Sequence, residues 1–170
     1  MTYDGNGNKI ITYADGTVVY EMAKIKADTT YDFDKVIFNS SDYVWNYSDI
    51  GNAQRACGFT IKAPDSELTE FPYVEYSVIS GDILQIKYSD RNGNEVVIRK
   101  SRGKVDLSGD SSKYSVEKKE KLEKAACILY GGRYGYSKAI AAKSGYSYSV
   151  RANFAMTKAD MEDIIKVMVK

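Results

Sequence analysis

Through its middle the chain alternates. In "FTIKAP", "YVEYSVIS", "ILQIKYS" and "EVVIRKS" apolar residues recur at every second position, the period of a half-buried strand. Pro64, Gly81-Asp82 and Asn92-Gly93 punctuate these runs and predict turns between consecutive antiparallel strands. Residues 8–26, "NKIITYADGTVVYEMAKIK", form two such runs around Asp15-Gly16 and predict an N-terminal β-hairpin. The connector 27–47 holds a short strand-like stretch at Lys35–Phe38. Near the C-terminus "GYSKAIAAK" and "YSYSVRA" alternate again on either side of Ser144-Gly145.

Two stretches carry the helical period instead. In "SDIGNAQRACG", Ser48 or Asp49 supplies an N-cap, Ile50, Ala53 and Cys57 share a face, and Gly58 is a natural stop. At the end of the chain Thr157 is an N-cap with Asp160 three residues on, and Met161, Ile164, Ile165 and Met168 form an apolar stripe. The predicted fold is therefore α+β: a curved antiparallel sheet of about six to eight strands. One face is covered by a short helix near 49–57 and a C-terminal helix near 158–168.

The segment "VEKKEKLEKAACILYGG" is ambiguous. Leu122, Ala125, Ala126, Leu129 and Tyr130 are helically spaced, and Glu117/Lys121 and Glu120/Lys124 are favourable i,i+4 pairs. Local pattern alone predicts a helix ending at Gly131.

Composition narrows the functional classes. The 170 residues suffice for one domain with a core. Lys plus Arg number 24 against 23 Asp plus Glu, a balance that gives no electrostatic footprint for nucleic acid. No apolar run approaches the roughly 18 residues of a membrane span. There is no histidine, so the commonest general base and transition-metal ligand are missing, and two cysteines cannot build a thiolate zinc cage. The expectation is no cofactor, no metal and no catalytic constellation.

The individual motifs have modest readings. A nucleophilic cysteine needs a helix N-terminus, a histidine or a metal beside it, whereas Cys57 closes the other end of a helix. It is read as a small buried residue, with a disulfide to Cys127 as the alternative. "DGNGNK" and "DRNGNE" share the D-x-N-x-N opening of a calcium loop but lack glycine at its sixth position, so hairpin turns are favoured. "SGDSSKY" and "GGRYGY" lack the strand–loop–helix context of a phosphate site and are read as turns. Glu67, Glu70, Glu75 and Asp110 lie in or beside loops, and nothing pairs them for acid–base work.

Fifteen tyrosines against one tryptophan make the aromatic content distinctive. Tyr76, Tyr88, Tyr146 and Tyr148 fall in phase with apolar neighbours and are expected on the apolar face of the sheet. Any open groove is expected at the sheet margin near Tyr134 and Tyr136, beside Gly131, Gly132 and Gly135. The candidate ligand surface is thus Tyr134, Tyr136, Tyr146 and Tyr148.

From Ser48 onward the landmarks "CGFTIKAPDS", "YVEYSVISGDILQIKYSDRNGNEVVIRKSRG", "DLSGDSSKY", "GYSYSVRA" and "MTKADMEDIIKVM" follow one another in a specific order. In that order and spacing the chain resembles a family of domains of unknown function in secreted or lipid-anchored proteins of Gram-positive, often gut, bacteria. The resemblance covers residues 48–170 and leaves 1–47 as a hairpin arm and connector. It implies that the ambiguous segment is a hairpin, "KKEKL" against "AACILY" around Glu123-Lys124, and the hairpin is the expectation adopted. It implies an extracytoplasmic location and, by distant analogy, an open half-barrel like those of lipoprotein carriers. The function expected on these grounds is non-enzymatic binding or sensing at the cell envelope, with a peptide, glycan or lipid as ligand. A carboxylate-dependent glycan-active enzyme and a purely structural accessory domain are the alternatives. The N-terminal hairpin is the expected contact if the chain forms a homodimer.

Overall fold

The computed structural model describes residues 42–170 without a break and, before them, Thr2–Tyr3, Lys9–Thr12, Ala14, Val18–Glu21, residues 30–35 and Phe38. Strands β1 (Thr2–Tyr3), β2 (Lys9–Thr12) and β3 (Val18–Glu21) form a small antiparallel sheet in which Thr12 faces Val18. This is the N-terminal hairpin; its turn residues Asp15-Gly16 lie outside the described residues. Strand β4 (Asp34–Lys35) overlaps the expected connector strand 35–38 at Lys35 alone; Phe38 is not in a strand, and Val36 and Ile37 lie outside the described residues.

Strand β5 (Val44–Tyr47), helix α1 (Ile50–Cys57) and strands β6 (Tyr73–Ile79), β7 (Ile83–Ser89), β8 (Glu95–Arg102) and β9 (Val105–Asp106) follow. Then come β10 (Val116–Leu122), β11 (Ala125–Gly132), β12 (Gly135–Lys143), β13 (Tyr146–Met156) and helix α2 (Lys158–Met168). The main sheet has eight antiparallel strands in the order β10-β11-β12-β13-β8-β7-β6-β5. It consists of two meanders, β5–β8 and β10–β13, joined where β13 pairs β8. The fold is α+β, and β5 draws Val44–Tyr47 into a sheet that otherwise lies beyond residue 48.

The ambiguous segment is a hairpin. Leu122 faces Ala125 across the two-residue turn Glu123-Lys124, whose φ angles of 48° and 68° give both residues the left-handed geometry that matches strand twist. Helical spacing lost because alternation served two buried surfaces at once. Ala125, Cys127 and Leu129 turn to the helix-covered core, and Ala126 and Ile128 are buried on the opposite face.

Both helices form where their caps predicted. The Asp49 carboxylate accepts from the Asn52 N–H at 2.8 Å, and Gly58, at φ 79°, closes α1 by donating to Gln54 C=O. Thr157 Oγ1 accepts from the Asp160 N–H at 3.1 Å. Lys143 Nζ donates to Val169 C=O at 2.6 Å and secures the far end of α2. Ala53 and Cys57 of α1, and Met161, Ile164, Ile165 and Met168 of α2, pack on Leu84, Ile86, Ile98, Leu129 and Val150 of the sheet. Among the described residues no helix is long and apolar enough to cross a membrane.

The other face of the sheet is also covered, by the chain between β8 and β10. Ser147 Oγ accepts from the Val105 N–H at 2.7 Å and donates to Gly103 C=O at 2.8 Å. Strand β9 runs parallel to β4, and Phe38 and Val105 pack on Ile79, Ile83 and Leu107. Strand alternation turns Ser147 and Ser149, between and after Tyr146 and Tyr148, away from the helices, and this covering buries them as well.

Candidate functional site

The covering loop is held by two cations that strand alternation places on that face. Arg99 on β8 donates through Nη1 to Leu107 C=O at 2.8 Å and Ser108 C=O at 3.0 Å, and through Nε to Gln85 Oε1 at 2.8 Å. The Phe38 ring lies 4.6 Å from its guanidinium carbon. Burial lowers the affinity of this guanidinium for its proton, yet an arginine stays charged at neutral pH. Lys138 on β12 donates to Asp106 Oδ2 at 2.8 Å and Asp110 C=O at 3.0 Å, with the Tyr130 ring centroid 4.8 Å from its ammonium.

Beyond these anchors the loop leaves an open cleft of about 620 Å³. Tyr114 and Tyr130 form its aromatic wall, with ring centroids 5.7 Å apart at 46°. Ser108, Ser111, Ser112, Lys113 and Glu117 are among its polar lining, and Lys138, Asp106 and Asp110 lie at its base. Tyr114 OH donates to the Asp110 carboxylate, which also accepts from the Ser112 N–H at 2.8 Å. Burial raises the Asp110 carboxyl, but the hydrogen bonds from Ser112 and Tyr114 and the nearby Lys138 ammonium outweigh it and hold the group below 3.8. The Tyr130 phenol is pushed up to about 12 by burial first and then by Glu117 and Asp106.

The depressed Asp110 value has a consequence for acid stability. A carboxyl that binds its proton less well folded than unfolded contributes stability above its ordinary value of 3.8, and that contribution is lost as pH falls through the folded value. Asp110→Asn should therefore flatten the acid limb of a melting-temperature profile below pH 3.8. An unchanged limb would show that Asp110 is not among the groups that set it.

The tyrosines singled out from sequence divide among three places. Tyr148 is 5% exposed, and Tyr146 is half-buried; their rings lie 5.2 and 4.3 Å from the Lys100 ammonium, beside Phe59. Tyr136 packs against the helix-covered core. Tyr134 is 84% exposed and lines a shallow depression of about 450 Å³ with Arg133, Asn153 and Phe154. Lys113 and Tyr114 line both this depression and the larger cleft. Tyr134, Tyr136, Tyr146 and Tyr148 thus do not share one surface. Gly131, Gly132 and Gly135 line the depression beside Tyr134, where a groove was expected, and a Cβ at Gly131 or Gly135 would meet the backbone of a neighbouring strand.

Cys57 and Cys127 are both buried free thiols, so the disulfide held open from sequence is not formed in this structure. Cys57 Sγ lies against the carbonyls of Gln54 and Phe59. Cys127 is wholly buried, and burial, with Glu162 and Glu120 nearby, pushes its thiol up to about 12. An alkylating reagent should label neither in the native protein within minutes and both after denaturation; fast native labelling of Cys57 would reopen a reactive role. The "DRNGNE" loop is a hairpin turn in which the Asp90 carboxylate accepts from the backbone of Asn92 and Asn94 and from the Asn94 side chain. Among the described residues no three His, Cys, Asp or Glu side chains gather as a metal site.

Sequence reasoning named Asp110 and the tyrosine surplus but not Tyr114, Tyr130, Lys138 or Asp106 as a group. The signal was partial. Lys138 and Arg99 stand among apolar strand residues, which fits a solvated face as well as a gripped loop. No family model, curated protein or solved structure matches this chain.

Proposed function

We propose that this chain is a non-enzymatic binding module of the bacterial cell envelope, secreted or lipid-anchored, in keeping with the domains of unknown function that residues 48–170 resemble. Its ligand is a glycan segment seated in the cleft beside Tyr114 and Tyr130. The observation that carries this reading is the aromatic pair at the wall of an open cleft with a hydroxyl-bearing rim. A sugar ring presents a C–H face to a tyrosine ring and hydroxyls to serine and carboxylate partners, and that combination is available here.

The charge state supports binding over carboxylate-based hydrolysis. A general acid for glycoside cleavage needs a raised carboxyl, whereas Asp110 is held low. Asp106 is engaged by the Lys138 ammonium at 2.8 Å. The base of the cleft is therefore a set of mutually satisfied groups, suited to holding a shape.

The test is retention of the chain by isolated Gram-positive sacculi, followed by titration with soluble fragments of the same walls. Tyr114→Ala should weaken retention about tenfold, as loss of one stacking ring does, while Tyr114→Phe, which loses the Asp110 hydrogen bond but keeps the ring, should retain most of it. Tyr134→Ala, in the neighbouring depression, should leave retention intact. Retention that survives Tyr114→Ala but falls with Tyr134→Ala would move the site to the sheet margin; no retention at all would reject the reading.

A further inference from the structure

The two margins of the eight-stranded sheet differ in chemistry. At one, β10 carries Lys118, Lys119 and Lys121 along seven residues, a charged edge that resists the addition of another strand. At the other, β5 and the residue before it read Tyr43-Val44-Trp45-Asn46-Tyr47, without a charge or a proline. Among the described residues no strand pairs with the outer side of β5. Tyr43, Val44 and Trp45 are 74, 54 and 65% exposed. The strand is short, four residues, but among the described residues no charge, proline, bulge or covering element blunts this edge.

The direction of the free backbone groups follows from one bond. Tyr43 C=O accepts from the Ser80 N–H at 2.7 Å, so it points toward β6. In an antiparallel strand this direction alternates, which turns Trp45 and Tyr47 toward β6 as well and leaves the N–H and C=O of Val44 and Asn46 facing outward.

We infer that β5 is a self-pairing edge: a second copy of this chain adds its own β5, antiparallel, about a two-fold axis through Trp45. In that register Val44 of one copy faces Asn46 of the other, and each exchanges both backbone groups with its opposite. The two Trp45 residues meet at a non-hydrogen-bonded position, where opposed Cα atoms are about 4.5 Å apart and side chains are closest. Asp42 falls opposite Ser48, so no carboxylates confront each other. Pairing of β5 with β10 of another copy is disfavoured. It would set Lys118, Lys119 and Lys121 against an uncharged strand and continue as an open filament instead of closing. None of the residues that line the cleft lies on β5.

Trp45 is the one tryptophan of the chain, so its emission reports this edge directly. The full chain should show a rise from monomer to dimer mass in sedimentation between low micromolar and near-millimolar concentration. A blue shift of tryptophan emission should follow the same concentration curve. Asn46→Pro removes an outward N–H without touching the bonds to β6, a position where an edge strand tolerates proline. It should weaken association at least tenfold at unchanged melting temperature. Trp45→Cys should form a covalent dimer on mild oxidation far faster than Tyr43→Cys, which keeps the test open should the proline variant misfold. A wild-type chain that stays monomeric at the highest concentration overturns the inference. So does a dimer with unshifted emission and no preference for crosslinking at position 45.

Discussion

Gly131→Ala should cost about 3 to 5 kcal/mol of stability, at the upper end of what single substitutions do. A Cβ at this position would lie 2.2 Å from Gly135 C=O and 2.8 Å from Tyr136 Cα. Both are backbone atoms, so no rotamer relieves the clash. Position 131 is also where the β11–β12 register shifts, and at the neighbouring Gly135, φ 135°, an added Cβ would lie 2.4 Å from Met156 C=O. The strands must part, and Tyr130, one residue before the bulge, loses its place in the cleft wall. Urea or thermal unfolding measures the cost, with a drop of roughly 10 °C expected for a chain of this size. Gly132→Ala is the control, because its Cβ would meet only Ser115 Oγ at 3.6 Å. Equal effects from the two substitutions would refute close backbone approach as the cause.

Lys138→Met should be nearly as severe, about 3 to 5 kcal/mol, because it strands a charge. The lysine side chain is 6% exposed and its Asp106 partner 16% exposed, so water screens the pair poorly. Without the ammonium, Asp106 must remain charged in a desolvated place or take up a proton, and Asp110 C=O loses a donor. Adding Asp106→Leu to Lys138→Met should recover part of the loss, since it removes the stranded charge but takes from the Ser108 N–H the carboxylate that accepts it at 2.9 Å. The double-mutant cycle decides it. Additive losses would mean that the pair is not coupled and that something other than the charge fixes the loop.

The parts of this fold that were legible from sequence are those set by neighbours in the chain. Asp49, Gly58 and Thr157 sit where helix ends require them, and the Asn92-Gly93 and Ser144-Gly145 signals lie at hairpin turns. The β10–β11 hairpin was not legible locally. Its turn is Glu-Lys instead of Asn-Gly, and residues buried on two faces of a sheet imitate a helical stripe; only the family resemblance favoured the strands. The cleft was hidden for a different reason. Its walls come from β11 and β12 and from a loop that folds back over the second face, and "DLSGDSSKY" holds the anchors Asp106 and Leu107 without any local sign of the partners they meet. The partners are Arg99 on the preceding strand and Lys138 and Ser147 farther along the chain, and alternation marks all three only as residues pointing away from the helices.

The two meanders also set an order of events for the folding chain. From β6 to β8 and from β10 to β13, strands meet across hairpin links of two to five residues, and such closures take about 1 to 10 μs, whereas β5 joins β6 through the segment that carries α1. The seam between β8 and β13 is different in kind, because Arg102 finds Tyr146 only after the whole second meander has been synthesised and closed. Loop-closure entropy is therefore larger at this junction than at any hairpin link. Substitutions along it, such as Ile98→Val or Val150→Ala, should slow refolding, whereas those inside either meander should act chiefly on unfolding. Arg99 lies on the seam and grips the covering loop, so the cleft can take shape only as the two halves of the sheet zip together.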